Sequence, residues 1–209
     1  MINIIRKKAV TDEFDYPFLL DCLSGLKHPR DKITRLLKSG AIIRVKKGLY
    51  VFGLEYLREP FSRETLANLI YGPSYISLEY ALSFYGMIPE RVETVTSVTN
   101  KRNKYFMTPV GNFSYVYLST ERYSEQITQT QLDEFHNVLI AGKEKALADK
   151  LYFLKESISS IEMLSYLTDN LRIEKKTLKY LDVRKIKRLM QIYKNKNVSA
   201  FYEMIARLK

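Results

Sequence analysis

Arg30, Lys32, Thr34, Arg35 and Lys38 fall within one short stretch, and Arg44, Lys46 and Lys47 follow closely behind. Guanidinium and ammonium groups at this density neutralise phosphates, and an arginine on a helix can also pair with a base edge in a major groove. Arg35 is the leading candidate for that second role, as a guanine reader. The spacing of Ile33, Leu36 and Leu37 predicts a helix over about Arg30 to Lys38, with Pro29 in its first turn and Gly40 as its stop. Ile42–Val45 and Leu49–Phe52 are β-branched or aromatic runs joined by Lys46-Lys47-Gly48, a pattern that predicts a hairpin with Gly48 at positive φ.

A basic helix running directly into a basic-tipped hairpin is the ending of a winged helix-turn-helix, and the eight residues are its candidate DNA contacts. The competing reading is a solvated basic face on an ordinary small α+β domain. Ahead of this unit, Asp15 predicts the cap of a scaffold helix reaching Leu23, with Cys22 as a small core residue. Such a domain normally has three helices, so the remaining one is expected between Leu26 and Pro29, very short or displaced, or is absent. Residues 1–13 read as a short lead, a first strand or a turn of helix, whose Arg6-Lys7-Lys8 is either a phosphate-contacting arm or a solvated terminus.

The chain is 46% apolar with 16 Tyr and 10 Phe, enough to pack cores, and its net charge of +11 points to a polyanionic partner. Residues 1–57 carry 11 basic and 6 acidic groups, whereas 159–209 carry 12 and 5. Residues 58–120 stand at +1 and 121–158 at −2, so two basic ends flank a near-neutral middle. Lys101, Arg102 and Lys104 at a predicted turn, with Lys175, Lys176, Arg184, Lys187 and Arg188 in the tail, are candidates for a second basic surface. A single cysteine excludes an internal disulfide, and His28 and His136 lie too far apart in sequence to point to zinc, so no metal or cofactor is expected. No apolar run approaches the roughly 18 residues of a membrane span, and the start MINIIRKKAV lacks the apolar core of a signal peptide, which reads as cytoplasmic.

Pro60 marks an exit from the first domain, giving 1–57 as a winged helix and 58–209 as an α+β domain, itself divided into a mixed part (58–158) and a helical, basic tail (159–209). Ser62 caps a helix ending at Tyr71-Gly72-Pro73. In 71–90, Glu79 with Tyr75, Tyr80 and Tyr85 could line an active site, but the spacing fits a core helix with amphipathic tyrosines better. Strands over 92–99, 105–107 and 113–118 are expected to form a small antiparallel meander, 122–135 a loop, and 138–141 a short strand. Gly142-Lys143 opens a helix but lacks the spacing of a phosphate loop. Further helices are expected from Ser159 or Ser160 to Leu171, after Asp182, and from about Val198. Glu174-Lys175-Lys176, with Asp169 upstream, has the E-x-K form of some metal-dependent nucleases, an alternative resting on a short match.

GAIIRVKKGLYVFG, YGPSYISLEYALSFYGMIPE, VTSVTNKR, GNFSYVYL and AGKEKALADKLYFL, in that order, resemble the AbiEi family of antitoxins from type IV toxin–antitoxin systems. The likeness spans roughly residues 15–155. It implies an N-terminal winged helix and a C-terminal antitoxin domain, repression of the protein's own operon through inverted repeats, and action against a nucleotidyltransferase toxin encoded beside it. By position it lays the DNA-contact role on Arg30 to Lys38 and Arg44 to Lys47. It carries over no catalytic residue, so no enzymatic activity is expected. Antitoxins of this class need not hold their toxin in a stable complex. A winged-helix regulator with no toxin partner fits the same residues.

Overall fold

The computed structural model describes all 209 residues and is an α+β fold. The N-terminal part runs α1 (Ile2–Lys8), β1 (Glu13–Asp15), α2 (Tyr16–Cys22), α3 (Pro29–Lys38), β2 (Ile42–Lys46) and β3 (Leu49–Phe52). Its sheet has the order β1-β3-β2 and is antiparallel throughout. The expected lead over 1–13 is thus the helix α1 and the first residue of β1. Ile5 is fully buried and Arg6 is buried against the Phe52 ring while paired to Asp12, so Arg6 is no phosphate arm. No helix lies between Leu26 and Pro29; the third helix is α1.

Local chemistry explains these boundaries. The Asp15 carboxylate accepts from the Phe18 N–H at 2.9 Å and caps α2, with proline in the first turn. Gly48 takes φ +88° at the hairpin tip, as its turn requires. Gly53, at the end of β3, presses so closely on the α3–β2 turn that a Cβ there would stand 1.9 Å from the Gly40 carbonyl oxygen. Helix faces and one side of the sheet enclose a core that includes Ile5, Phe14, Leu19, Cys22, Ile33, Leu36, Ile42 and Phe52.

The other side of the same sheet is covered as well. Val45, Leu49 and Val51 belong to the larger core of the remaining chain, so the hairpin is sandwiched between the two parts. The connection between them is also fastened. Asp12 accepts from the Arg58 and Glu59 amides, and Glu13 accepts from the Ser62 amide.

The C-terminal part contains α4 (Arg63–Ile70), β4 (Ser74–Ile76), α5 (Leu78–Phe84), β5 (Val95–Thr99), β6 (Lys104–Thr108), β7 (Gly111–Tyr117), α6 (Thr120–Tyr123), β8 (Ile127–Gln131) and β9 (Asn137–Ala141). It continues through α7 (Lys143–Tyr152), α8 (Met163–Ser165), α9 (Lys175–Lys179), α10 (Val183–Tyr193) and α11 (Lys196–Leu208). Ser62 caps α4 through the Thr65 N–H, and Asp182 caps α10 through the Arg184 N–H, as expected. The small antiparallel meander is corrected: one six-stranded mixed sheet runs β6-β7-β5-β4-β9-β8, with β5·β7 and β4·β9 parallel. Segment 122–135, expected as a loop, supplies the end of α6 and the edge strand β8. The helix expected over 159–171 is instead the single turn α8 followed by a π-helical turn, Tyr166–Asn170. The tail is no appendage, since Leu178, Ile186, Leu189, Phe201 and Ile205 sit in the large core. No helix is long and apolar enough to cross a membrane.

Candidate nucleic-acid interface

The amphipathic α3 buries Ile33 and Leu36 and turns Arg30, Thr34, Arg35 and Lys38 to solvent, with Lys32 half-buried at the margin. Arg30, Thr34 and Lys38 lie along one i, i+4 line, and Arg35 stands beside them. The Thr34 hydroxyl donates back to the Arg30 carbonyl at 3.1 Å, so its proton is committed to the helix. The side chains of Arg30, Arg35 and Lys38 have no hydrogen-bond or ion-pair partner in the protein. On the hairpin, Arg44 and Lys47 are likewise exposed and unpartnered. Such a set is open to an external anion.

Lys46 is different. Its ammonium donates to the Ile70 carbonyl at 2.5 Å, at the C-terminal end of α4. Burial, and then the neighbouring Lys101 charge, pull its pKa below the ordinary lysine value. Packing of the hairpin against α4 thus leaves the Lys46 ammonium engaged within the protein. A cation at a helix C-terminus satisfies carbonyls that the helix leaves open.

The expected second basic surface divides into two. Lys101, Arg102 and Lys104 gather at the β5–β6 turn, beside the hairpin. Lys101 donates to the Gly72 carbonyl at 2.5 Å and lies 5.6 Å from the Tyr71 ring centre, which Lys104 approaches at 5.9 Å. Of the tail cations, Arg188 is tied to the other edge of the sheet. Arg188 forms a two-pronged pair with Glu125, directly ahead of β8, at 2.9 Å for both bonds. Arg184 pairs with Asp182 and Lys176 with Glu174, while Lys175 and Lys187 are exposed. Exposed pairs of this kind leave less free charge than the sequence count implies.

The remaining sequence candidates are engaged internally. Glu79 pairs with Lys150, and the Tyr80 hydroxyl donates to Glu64 at 2.5 Å. Tyr75 stands on β4 and is wholly buried. It enters a polar network that sequence spacing did not reveal, because its members come from four separate segments. Lys145 and Asp149, one turn apart on α7 and both fully buried, sit 3.7 Å apart. Asp149 accepts from the Tyr75, Ser77 and Tyr193 hydroxyls, and Lys145 donates to the Tyr193 oxygen and the Arg122 carbonyl at 2.8 Å each. Burial lowers the Lys145 pKa against the pull of Asp149, and burial with Asp149 raises both tyrosines well above their usual range. Tyr75, Ser77, Lys145, Asp149 and Tyr193 are all fully buried, and the network joins β4, α7 and α10. Asp169 accepts from the Ser165 and Thr168 hydroxyls, and no group of three or more His, Cys, Asp or Glu residues is arranged to hold a metal ion.

A further charged cluster links the two parts of the chain. His136 Nε2 faces the buried Glu13 at 3.1 Å, and its Nδ1 faces Asp133 at 2.7 Å. Burial opposes a charge on this imidazole, but the two carboxylates outweigh it and raise its pKa above the ordinary histidine value. Neither a protein-family model nor a curated protein sequence matches the chain.

Proposed function

We propose that this protein is a winged-helix DNA-binding regulator, and that it acts as an antitoxin of the AbiEi type. The observation that carries the DNA reading is the set of five exposed, unpartnered cations on α3 and the β2–β3 hairpin. The order α1-β1-α2-α3-β2-β3 supports it, because a winged helix-turn-helix places its groove-reading helix immediately before the wing. On this reading α3 enters the major groove, Arg35 addresses a base edge, and Arg30, Lys38, Arg44 and Lys47 grip phosphates. Lys46 has no part in it. The antitoxin role rests on the resemblance of residues 15–155, and the partner it implies is a nucleotidyltransferase toxin. The operator would be an inverted repeat ahead of the protein's own gene, read by two copies side by side.

Two assays test this reading. A reporter driven by the upstream region of the gene is repressed by the wild type and released by Arg35→Ala, with Lys187→Ala as the unaffected control. Equal repression by Arg35→Ala and wild type removes α3 from the groove. For the antitoxin role, co-expression with a nucleotidyltransferase encoded beside the gene restores growth. Growth arrest that this protein fails to relieve leaves a regulator with no toxin partner.

A further inference from the structure

The end of the sheet beside the hairpin carries a groove of about 780 Å³ lined by Tyr71, Asn100, Lys101, Arg102, Asn103 and Tyr117. Its composition alternates cations, amides and aromatic rings. Register explains how they meet. Lys104, Phe106, Tyr115 and Tyr117 share one face of the β6–β7 pair, and Tyr71 from the end of α4 folds over that face, 5.3 Å from Tyr115 and 6.0 Å from Phe106. These three rings pack on one another, and the outer side of Tyr71 is occupied by the two lysines. Tyr117 is the exception. It is 51% exposed and has neither an aromatic nor a cationic partner, so a face of its ring lies open.

The polar groups beside that ring are also uncommitted. Arg102 makes no bond to the protein, and Lys101 uses one of its three donors on Gly72. The Asn103 side-chain Oδ1 accepts from the Tyr117 N–H at 2.7 Å, which fixes the turn against β7 and leaves the Asn103 side-chain Nδ2 free. Asn100 has no side-chain partner. An open π-face, flanked by free guanidinium and ammonium groups and by amides able to meet base edges, is the chemistry of a single-stranded polynucleotide site. A duplex cannot use it, since paired and stacked bases present no ring face to a tyrosine.

We propose that this groove binds single-stranded nucleic acid, with Tyr117 stacking on a base, Lys101 and Arg102 on flanking phosphates, and Asn100 and Asn103 on base edges. The site uses none of the α3 residues, so it stands or falls separately from the duplex-DNA reading. The test is fluorescence anisotropy of the full chain with short labelled oligouridylate and oligothymidylate across a salt series. Base–aromatic stacking predicts that Tyr117→Ala weakens binding about tenfold while Tyr117→Phe retains it. Arg102→Ala should lower the slope of log K against log salt by about 0.7, the value for one phosphate of a single strand. Arg35→Ala should leave both unchanged. Binding of the uridylate alone assigns the site to RNA, and binding of both assigns it to any single strand. No binding of either oligonucleotide, or equal binding by Tyr117→Ala and wild type, overturns the proposal.

Discussion

Lys46 and Lys47 are neighbours in sequence and differ in what they can reach. One caps the α4 carbonyls and the other stands free at the hairpin tip. Lys47→Ala is therefore expected to reduce the salt slope of duplex binding by about 0.9, and Lys46→Ala to leave it unchanged. A titration of affinity against salt for both variants checks this. Residue-level reading from sequence identified the cations of α3 because helical spacing alone places them opposite Ile33 and Leu36. It missed the fate of Lys46, which depends on Ile70, a residue of another element. It missed the Lys145–Asp149 network for the same reason. Removing one member of a fully buried charge pair leaves the other uncompensated, a loss of about 3–5 kcal/mol. Asp149→Ala should lower stability by that order in urea unfolding, and a loss under about 1 kcal/mol contradicts the network's structural role.

At the level of elements, α3 and the hairpin were legible because their signals are local: apolar periodicity, a first-turn proline and a turn glycine. The sheet of the C-terminal part was not. Its strands were mostly placed, but β4 pairs in parallel with β9 and β5 with β7, and such partners are chosen by long-range packing that periodicity does not record. Whether residues 1–13 form a strand or a helix stayed open for a related reason. In α1 only Ile5 and Arg6 are buried, and Arg6 is held there by Asp12 and Phe52 rather than by any apolar pattern. The join between α3 and the hairpin makes its own prediction. Gly53→Ala forces a Cβ onto the Gly40 carbonyl, and overpacking against backbone costs about 1–3 kcal/mol. Thermal unfolding should show a lowered midpoint together with weakened duplex binding, whereas Gly25→Ala, with open space around it, should change neither.

Across the whole molecule, the two parts are bound through a shared sheet face, through the Asp12 and Glu13 contacts to the linker, and through His136. Glu13 and His136 stand 123 residues apart in sequence, so nothing in either segment announced their meeting. Because the folded-state pKa of His136 is raised, its charged form stabilises the junction. That contribution is complete below the unfolded value of about 6.5 and is lost as pH rises through the raised folded value. His136→Gln should therefore destabilise the protein more at about pH 5.5 than at about pH 8.5, as read by urea midpoints. A difference that grows with pH contradicts the assignment.

The central claim is that the unpartnered cations of α3 and the hairpin lie against one stretch of duplex DNA. Its most direct measurement is the salt dependence of affinity for DNA upstream of the gene, compared between wild type and a variant carrying Arg30→Ala, Lys38→Ala, Arg44→Ala and Lys47→Ala together. Four lost phosphate contacts should lower the slope of log K against log salt by about 3.6. An unchanged slope in a variant that keeps its fold would place the DNA, if any is bound, on another face of the protein.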